Sequence, residues 1–118
     1  MIQFEVPKTH KKVIAIDFDG TIVENAFPNI GEPIKDVVAF IKRHRHKYTW
    51  ILWTCRTGEY LQNAVEFLNN IGITMDYVNS NTKEYTERYG DGSRKIYADY
   101  YIDDKNISIS ELKRHPAL

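Results

Sequence analysis

The chain has 118 residues, a length typical of one domain, so we expect a single domain over residues 1–118. Apolar residues make up 42% of the chain and charged residues 27%, which excludes the disordered and fibrous classes. Sixteen Lys and Arg residues balance sixteen Asp and Glu residues. This neutrality argues against generic binding to nucleic acid or to a membrane surface.

The cysteine content and the lengths of the apolar runs favour a cytoplasmic location. Cys55 is the one cysteine, so the chain forms no internal disulfide and no cysteine-rich zinc site. The first residues alternate apolar and polar side chains, unlike a signal peptide, and the longest apolar run before Asp17 is the four residues Val13 to Ile16. We therefore expect a cytoplasmic protein that does not enter a membrane.

Two pairs of a strand and a helix are predicted in the first two thirds of the chain. Residues 13–18 and 49–53 are short, nearly continuous apolar runs, as in strands covered on both faces. Apolar residues then recur at helical spacing, as Ile34, Val37, Val38 and Ile41 after the first run and Leu61, Ala64, Val65 and Leu68 after the second. Pro33 is expected to open the first helix, Thr57 to cap the second, and Gly72 to end it.

The remaining third of the chain has weaker periodic signals. Residues 76–79 and 98–102 predict two further strands, and the polar residues 80–94 predict a long loop with room for one helical turn. Residues 107–112 fit either a strand or a helix. Strands that alternate with helices predict βαβ units, and hence a three-layer α/β/α, Rossmann-like domain with a central parallel sheet and helices on both faces.

Acidic and hydroxyl side chains follow three of the predicted strands. Asp17 and Asp19 follow the first, Thr54 the second, and Asp103 and Asp104 the last. Because ligands of such sheets bind beyond the carboxyl ends of the strands, we expect these side chains to meet. Clustered carboxylates need a cation, and oxygen ligands without histidine or cysteine favour Mg²⁺. Carboxylates, Mg²⁺ and a hydroxyl together indicate phosphoryl transfer to an aspartate.

The order of these residues resembles the haloacid dehalogenase (HAD) superfamily of phosphohydrolases. The first motif of that family, Asp-x-Asp-Gly-Thr/Val after a buried strand, is matched by DFDGT at residues 17–21. The later motifs are a Thr or Ser after the next core strand, a lysine and an acidic pair, matched by Thr54, Lys95, Asp103 and Asp104. All four motifs stand in the family's order.

The resemblance implies a Mg²⁺-dependent phosphatase that hydrolyses a phosphomonoester through an aspartyl-phosphate. Asp17 would be the nucleophile and would bind the metal with its other oxygen. Asp19 would protonate the leaving group and then deprotonate water, and its backbone carbonyl would be a further metal ligand. Asp103 and Asp104 would complete the metal site, with Asp103 as the first choice for the direct ligand.

Phosphate-binding and substrate-binding residues complete the implied site. Thr54 and Lys95 would hold the phosphoryl oxygens, although Arg94 and Lys105 lie close enough in sequence to take the place of the lysine. The other candidates for substrate contact stand beside these motifs or in the polar segment, and they are Gly20, Thr21, Cys55, Arg56 and Arg88.

Several of these residues also have simpler interpretations. Arg56 would clamp a substrate phosphate or pair with Glu59. Cys55 has no histidine near it in sequence, so its side chain is expected to be buried as a small apolar group rather than to act as a nucleophile. Asp104 would pair with Lys105 or cap the following segment if its role is only local.

Two other functional classes also fit parts of the pattern. A phosphoacceptor signalling receiver uses an acceptor aspartate, further acids, Thr and Lys, but its acidic pair comes early in the chain. Here the pair Asp103 and Asp104 follows both Thr54 and Lys95. A non-catalytic binding subunit of the same fold predicts the loss of a motif residue, and none is missing.

The length of the connecting segments bears on the substrate. Residues 22–32 and 73–94 are too short to form a folded cap, so we expect a capless, open site. Such a site suits a phosphate on a nucleic-acid end, a nucleotide, a protein or a sugar, or it is closed by a neighbouring subunit of a homo-oligomer.

The polar segment 80–94 combines aromatic and guanidinium groups. Tyr85, Arg88, Tyr89 and Arg94 are the side chains suited to stacking on a ring and holding a phosphate. The alternative is a solvated connector whose tyrosines pack on the domain itself.

Overall fold

The computed structural model describes residues 11–114. Strands and helices alternate along this part of the chain. The strands are β1 (Val13–Ile16), β2 (Thr49–Leu52), β3 (Tyr77–Val78) and β4 (Tyr100–Ile102). The helices are α1 (Lys35–Arg43), α2 (Gly58–Asn70), α3 (Lys83–Tyr89) and α4 (Ile109–Arg114).

The four strands form one parallel sheet in the order β3-β2-β1-β4. Ile14 of β1 stands beside Trp50 of β2 on one side and beside Tyr100 of β4 on the other. The chain therefore moves in one direction from β1 to β3 and then crosses back to the far side of β1. This confirms the predicted small α/β, Rossmann-like domain, and it places the end of β1 at the centre of the sheet.

The first face of the sheet carries the larger core. Alternate strand residues, Ile14, Ile16, Trp50 and Leu52, are buried there together with Ile41 of α1 and with Ala64 and Leu68 of α2. The predicted helical spacing thus identifies the faces of α1 and α2 that pack on the sheet. At the end of α2, Gly72 adopts a φ of 87°, and the Ile73 amide donates back to the Leu68 carbonyl at 2.8 Å, so this glycine ends the helix as predicted.

The second face is covered by a thinner layer. Val13, Ala15 and Ile51 pack against Ile96 and Ala98 from the segment that crosses from β3 to β4. Helix α3 belongs to the same crossover and buries none of its own residues. The sheet therefore has two amphipathic helices on one face and a largely irregular cover on the other.

Two helices differ from the sequence prediction. Residues 83–89 form a helix where a loop with one turn is predicted, because the Thr82 hydroxyl accepts from the Tyr85 amide and caps the helix. Helix α1 begins at Lys35 because Pro33 forms a bridge with Val23.

Residues 107–112, which fit either element from sequence, contribute to helix α4. Its first turn is capped by the Ser108 hydroxyl, which accepts from the Glu111 amide at 3.1 Å. No helix in the part of the chain that the structure describes has the length and apolar character needed to cross a membrane.

Candidate active site

The carboxyl edge of the sheet brings together residues from four chain segments. They follow β1, β2, β3 and β4 and are, in that order, Asp17, Thr54, Asn79 and Asp103. Backbone hydrogen bonds continue past the ends of the strands, because the Asp17 amide donates to Ile102 at 3.0 Å and the Trp53 amide donates to Ile16 at 2.8 Å. Asp17 therefore lies between the ends of β2 and β4, the position that the sequence predicts for the nucleophile.

Asp17, Asp103 and Asp104 form an acidic cluster at this edge. Each offers a carboxylate oxygen, and these oxygens all lie within 4.8 Å of one another. Burial raises the pKa of Asp17 to about 6, a hydrogen bond from the Phe18 amide opposes the rise, and the two neighbouring carboxylates add to it. The predicted meeting of the ends of β1 and β4 is confirmed.

The donor set of the acidic cluster fits a hard divalent cation. Its three ligand groups are carboxylates, and neither histidine nor cysteine belongs to it. Mg²⁺ is bound in proteins by one or two carboxylates together with water and phosphate oxygens, whereas zinc favours nitrogen and sulfur ligands. Among residues 11–114, no lysine or arginine forms an ion pair with any of the three acids.

The loop after β1 is folded around Phe18, which is fully buried. The carbonyl of Phe18 accepts hydrogen bonds from the amides of Thr21, Ile22 and Val23 at 3.2, 3.0 and 3.3 Å. With Phe18 anchored in the core, its neighbours Asp17 and Asp19 are both held at the carboxyl edge. One buried aromatic residue between two acids thus fixes the backbone of the first motif.

Gly20 and Thr21 complete this loop, and their contact with substrate stays a prediction. A Cβ atom at Gly20 would collide with the Asp104 carboxylate, and Gly20 has a φ of 85°, so the close approach of the loop to the acidic cluster requires glycine. The Thr21 side chain is buried, and its hydroxyl has no hydrogen-bond partner among the described residues.

Asp19 is held by Arg56 rather than facing the acidic cluster alone. The Arg56 Nε donates to Asp19 Oδ2 at 2.7 Å, and Nη2 donates to Asp19 Oδ1 at 2.7 Å. The Arg56 side chain is only 1% exposed in this pair, against 18% for Asp19. Among the described residues Arg56 pairs with Asp19 and not with Glu59, and its predicted contact with a substrate phosphate stays a prediction.

Arg56 also reaches the loop between β1 and α1, which we call the flap (residues 22–33). Its Nη1 donates to the Pro28 carbonyl at 3.3 Å, and its Nη2 donates to the Asn29 carbonyl at 2.9 Å. The guanidinium carbon lies 5.1 Å from the ring centres of both Phe18 and Phe27. The guanidinium therefore joins the first motif to the flap.

Thr54 is fixed by Asn79, a residue that the sequence analysis missed. The Asn79 side chain accepts from the Thr54 amide at 2.8 Å and donates to the Thr54 carbonyl at 3.0 Å. The Thr54 hydroxyl accepts from the Arg56 amide at 3.1 Å, so its own proton remains to be donated. The sequence signal was an asparagine directly after a strand, since asparagine tolerates the φ of 50° that Asn79 adopts.

Two further predicted residues are exposed. Cys55 is exposed, which contradicts its expected burial, because the turn after Thr54 points this side chain away from the core. The Lys95 carbonyl accepts from Asn81 and from Ser93 at 3.3 and 3.0 Å, while its side chain is exposed and forms no ion pair within the described residues.

The structure distinguishes between the two interpretations of Asp104 but does not identify the phosphate-binding cation. Among the described residues, Asp104 forms no ion pair with Lys105, and Asp103 Oδ1 accepts from the Lys105 amide at 3.3 Å. Asp104 therefore belongs to the acidic cluster and not to a local pair. The choice among Lys95, Arg94 and Lys105 as the phosphate-binding cation stays a prediction.

The tyrosines of the polar segment contact one another. The ring of Tyr85 stacks on Tyr97 at 5.5 Å and lies 5.0 Å from Tyr89, and the Arg88 guanidinium lies over the Tyr89 ring. Tyr85 is partly buried by these contacts, as expected for tyrosines that pack on the domain. Tyr89 is 65% exposed and still presents a ring surface to solvent.

The fold and this edge define a class: a small α/β protein whose central parallel strand ends at a cluster of three carboxylates. A comparison with models of known protein families and one with curated proteins find no match. The chain is similar to the solved structure of a conserved protein of Bacteroides thetaiotaomicron, with 37% identity over 92% of this chain and 93% of that chain and a TM-score of 0.72. The chain belongs to the family of that Bacteroides protein. No activity is stated for that protein, so the likeness concerns family and fold.

Proposed function

We propose that this protein is a Mg²⁺-dependent phosphatase of the HAD type, a cytoplasmic enzyme that hydrolyses phosphomonoesters through an aspartyl-phosphate on Asp17. The acidic cluster at the end of the central strand carries the proposal. Three carboxylates within 4.8 Å of one another repel each other, and none is paired with Lys or Arg among the described residues. A cation and a phosphate are the partners that such a cluster suits best.

The chemistry divides between Asp17 and Asp19. In the first step an Asp17 oxygen forms a bond to phosphorus while the bond from phosphorus to the ester oxygen breaks, and Asp19 gives a proton to that leaving oxygen. In the second step water attacks phosphorus, Asp19 takes a proton from the water, and the bond to Asp17 breaks. Inorganic phosphate leaves, and both aspartates return to their starting states.

The other groups of the site bind and orient the phosphate. Mg²⁺ held by Asp17, Asp103 and Asp104 would offset the negative charge of the phosphoryl oxygens. Thr54 keeps a hydroxyl proton to donate to one of these oxygens, since its lone pair already accepts from a backbone amide. We assign the remaining positive charge to Lys95, whose exposed ammonium forms no ion pair in the described part of the chain.

The experiment is a phosphatase assay over a panel of phosphomonoesters, with and without Mg²⁺ and EDTA. We expect Mg²⁺-dependent turnover, with p-nitrophenyl phosphate hydrolysed slowly because it offers little binding energy beyond the phosphate. Beryllium fluoride, an analogue of the phosphoryl group, should bind at Asp17 in the wild type and in Asp19→Asn, but not in Asp17→Asn. Turnover that survives EDTA, or fluoride binding that survives Asp17→Asn, would refute the aspartyl-phosphate mechanism.

A further inference from the structure

Arg56 is the most buried charged residue of the site, and all of its donors are used. Only 2% of the residue is exposed. Its five N–H groups make five hydrogen bonds, two to the Asp19 carboxylate, two to the flap carbonyls of Pro28 and Asn29, and one to the Tyr60 carbonyl at 3.3 Å. The guanidinium therefore contacts the first motif, the flap and the first turn of α2 at the same time.

We propose that Arg56 is a positioning residue that fixes the Asp19 carboxylate for proton transfer and couples it to the flap. This inference rests on the proposed function, because it takes Asp19 as the acid and base. A bidentate guanidinium sets both the position and the plane of a carboxylate, whereas a single hydrogen bond sets neither. Each Asp19 oxygen accepts one hydrogen bond from Arg56 and keeps lone-pair capacity for a proton.

The burial of the pair argues for a role beyond stability. An ion pair taken out of water loses hydration that its Coulomb attraction barely restores, so a buried pair is seldom the most stable choice for a site. Another bidentate pair, Arg45 and Asp76, forms through Nη1 and Nη2 and lies 25% and 31% exposed, outside the first motif. It provides a matched control for the chemistry of an Arg–Asp pair.

The turn after β2 places two functions in three residues. The Arg56 amide donates to the Thr54 hydroxyl, while the Arg56 side chain holds Asp19. The hydroxyl proposed to contact the phosphoryl group and the carboxylate proposed to move the proton are therefore positioned by one residue. Movement of the flap at Pro28 and Asn29 is transmitted through the guanidinium to Asp19.

The test compares a substrate that needs a proton on its leaving group with one that does not. An alkyl phosphate releases a basic alkoxide and depends on the acid, whereas p-nitrophenyl phosphate releases a stable anion. Arg56→Lys keeps the charge but loses the bidentate geometry. We expect it to lower kcat about 100-fold for the alkyl phosphate and about threefold for p-nitrophenyl phosphate, within the range that acid–base catalysis contributes. KM should change little.

A double-mutant cycle separates positioning from structure. In an Asp19→Asn background, Arg56→Lys should no longer change the ratio of the two rates, because its effect acts through Asp19. Arg45→Lys, the matched control, should leave both rates unchanged. Equal losses on both substrates, or effects of Arg56→Lys and Asp19→Asn that simply multiply, would overturn the proposal and leave Arg56 a structural residue.

A second readout does not depend on turnover. Hydrogen exchange of the peptide covering residues 24–32 should become about tenfold faster in Arg56→Lys and in Asp19→Asn, but not in Arg45→Lys. Unchanged exchange in the first two variants would refute the coupling to the flap even if the wild-type protein hydrolysed no phosphate. Absence of wild-type turnover together with the expected exchange would refute the proposed function and leave the coupling standing.

Discussion

The acidic residues at the two edges of the sheet, where the strands begin and where they end, differ in their hydrogen-bond and ion-pair partners. At the amino edge, Asp76 and Asp99 accept from the backbone amides of Trp50 and Val13 at 2.8 and 2.7 Å. Asp76 also pairs with Arg45, and Asp99 accepts from the hydroxyl of Tyr97. At the carboxyl edge, by contrast, the acidic cluster of Asp17, Asp103 and Asp104 has no cationic partner among the described residues.

This difference separates acids that stabilise the fold from acids that are available for chemistry. The acids at the amino edge accept hydrogen bonds from the backbone of the neighbouring strands β2 and β1, so their removal would cost stability. At the carboxyl edge, burial and, after it, repulsion from the neighbouring acids raise the pKa of Asp17, so keeping these acids together costs the folded protein stability. Asp19 is intermediate between the two groups, because it follows the same strand as Asp17 but its carboxylate is paired with Arg56.

The largest expected effect is on turnover. Asp17→Asn should lower kcat for any phosphomonoester substrate by at least about 10⁴-fold, since it removes the proposed nucleophile. Asp76→Asn, at the opposite edge, should leave kcat within about twofold of the wild type in protein that is still folded. Comparable losses in the two variants, measured by steady-state kinetics, would remove the functional distinction between the edges.

For the free energy of unfolding, we expect the larger loss from a substitution at the amino edge. Asp76→Ala removes the acceptor of the Trp50 amide and the partner of Arg45, so we expect it to lower the free energy of unfolding by about 2 kcal/mol. Urea denaturation followed by circular dichroism measures this value. Asp103→Asn is the control at the carboxyl edge and should not destabilise the metal-free protein. A stability loss in Asp103→Asn as large as that in Asp76→Ala would contradict the comparison.

We expect Asp17 to contribute to the dependence of the free energy of unfolding on pH. Its pKa is raised to about 6 from 3.8, so the folded protein binds this proton more tightly than the unfolded chain. The contribution of Asp17 to stability is therefore complete below about pH 4 and is lost as the pH rises through 6. Because Asp17 is partly exposed, we expect Asp17→Asn to raise the free energy of unfolding at pH 7 by about 1 kcal/mol, less than the full shift implies.

Urea denaturation of metal-free wild type and Asp17→Asn at pH 4, 5, 6 and 7 measures this contribution. The gain from Asp17→Asn should grow across this range. If the gain in the free energy of unfolding did not depend on pH, ionisation of Asp17 would not destabilise the folded protein. Mg²⁺ at saturating concentration should reduce the difference, because the cation offsets the same repulsion.

The smallest effects are expected on helix α3, which belongs to neither edge. Under the interpretation of the polar segment as a substrate contact, Arg88→Ala and Tyr89→Ala should raise KM several-fold for a large phosphorylated substrate and leave KM for p-nitrophenyl phosphate unchanged, since the small ester does not extend to this helix. Equal effects on both substrates, or none, would make the segment a connector whose tyrosines pack on the domain.

Much of the fold was predictable because its signals are local. Apolar runs of four to six residues gave β1 and β2, and helical spacing gave the buried faces of α1 and α2. Helix α3 was predicted only as a loop with one helical turn, because its residues show no apolar period, and the cap at Thr82 is the local signal for its start. The start of α1 was misplaced because Pro33 is held in a bridge to Val23, a contact that the periodicity of α1 does not encode.

The order of strands and acids along the chain is enough to predict which acids meet, because residues that follow parallel strands gather at one edge of the sheet whatever their partners are. The contacts that each side chain makes there follow from the folded structure. The pairing of Arg56 with Asp19 joins residues 37 positions apart, and the exposure of Cys55 and the hold of Asn79 on Thr54 likewise follow from how loops close over the sheet. Such contacts form between segments that are distant in sequence, so they depend on how the whole chain folds. The apolar spacing that predicts a strand or a helix lies within one short segment and can be read locally.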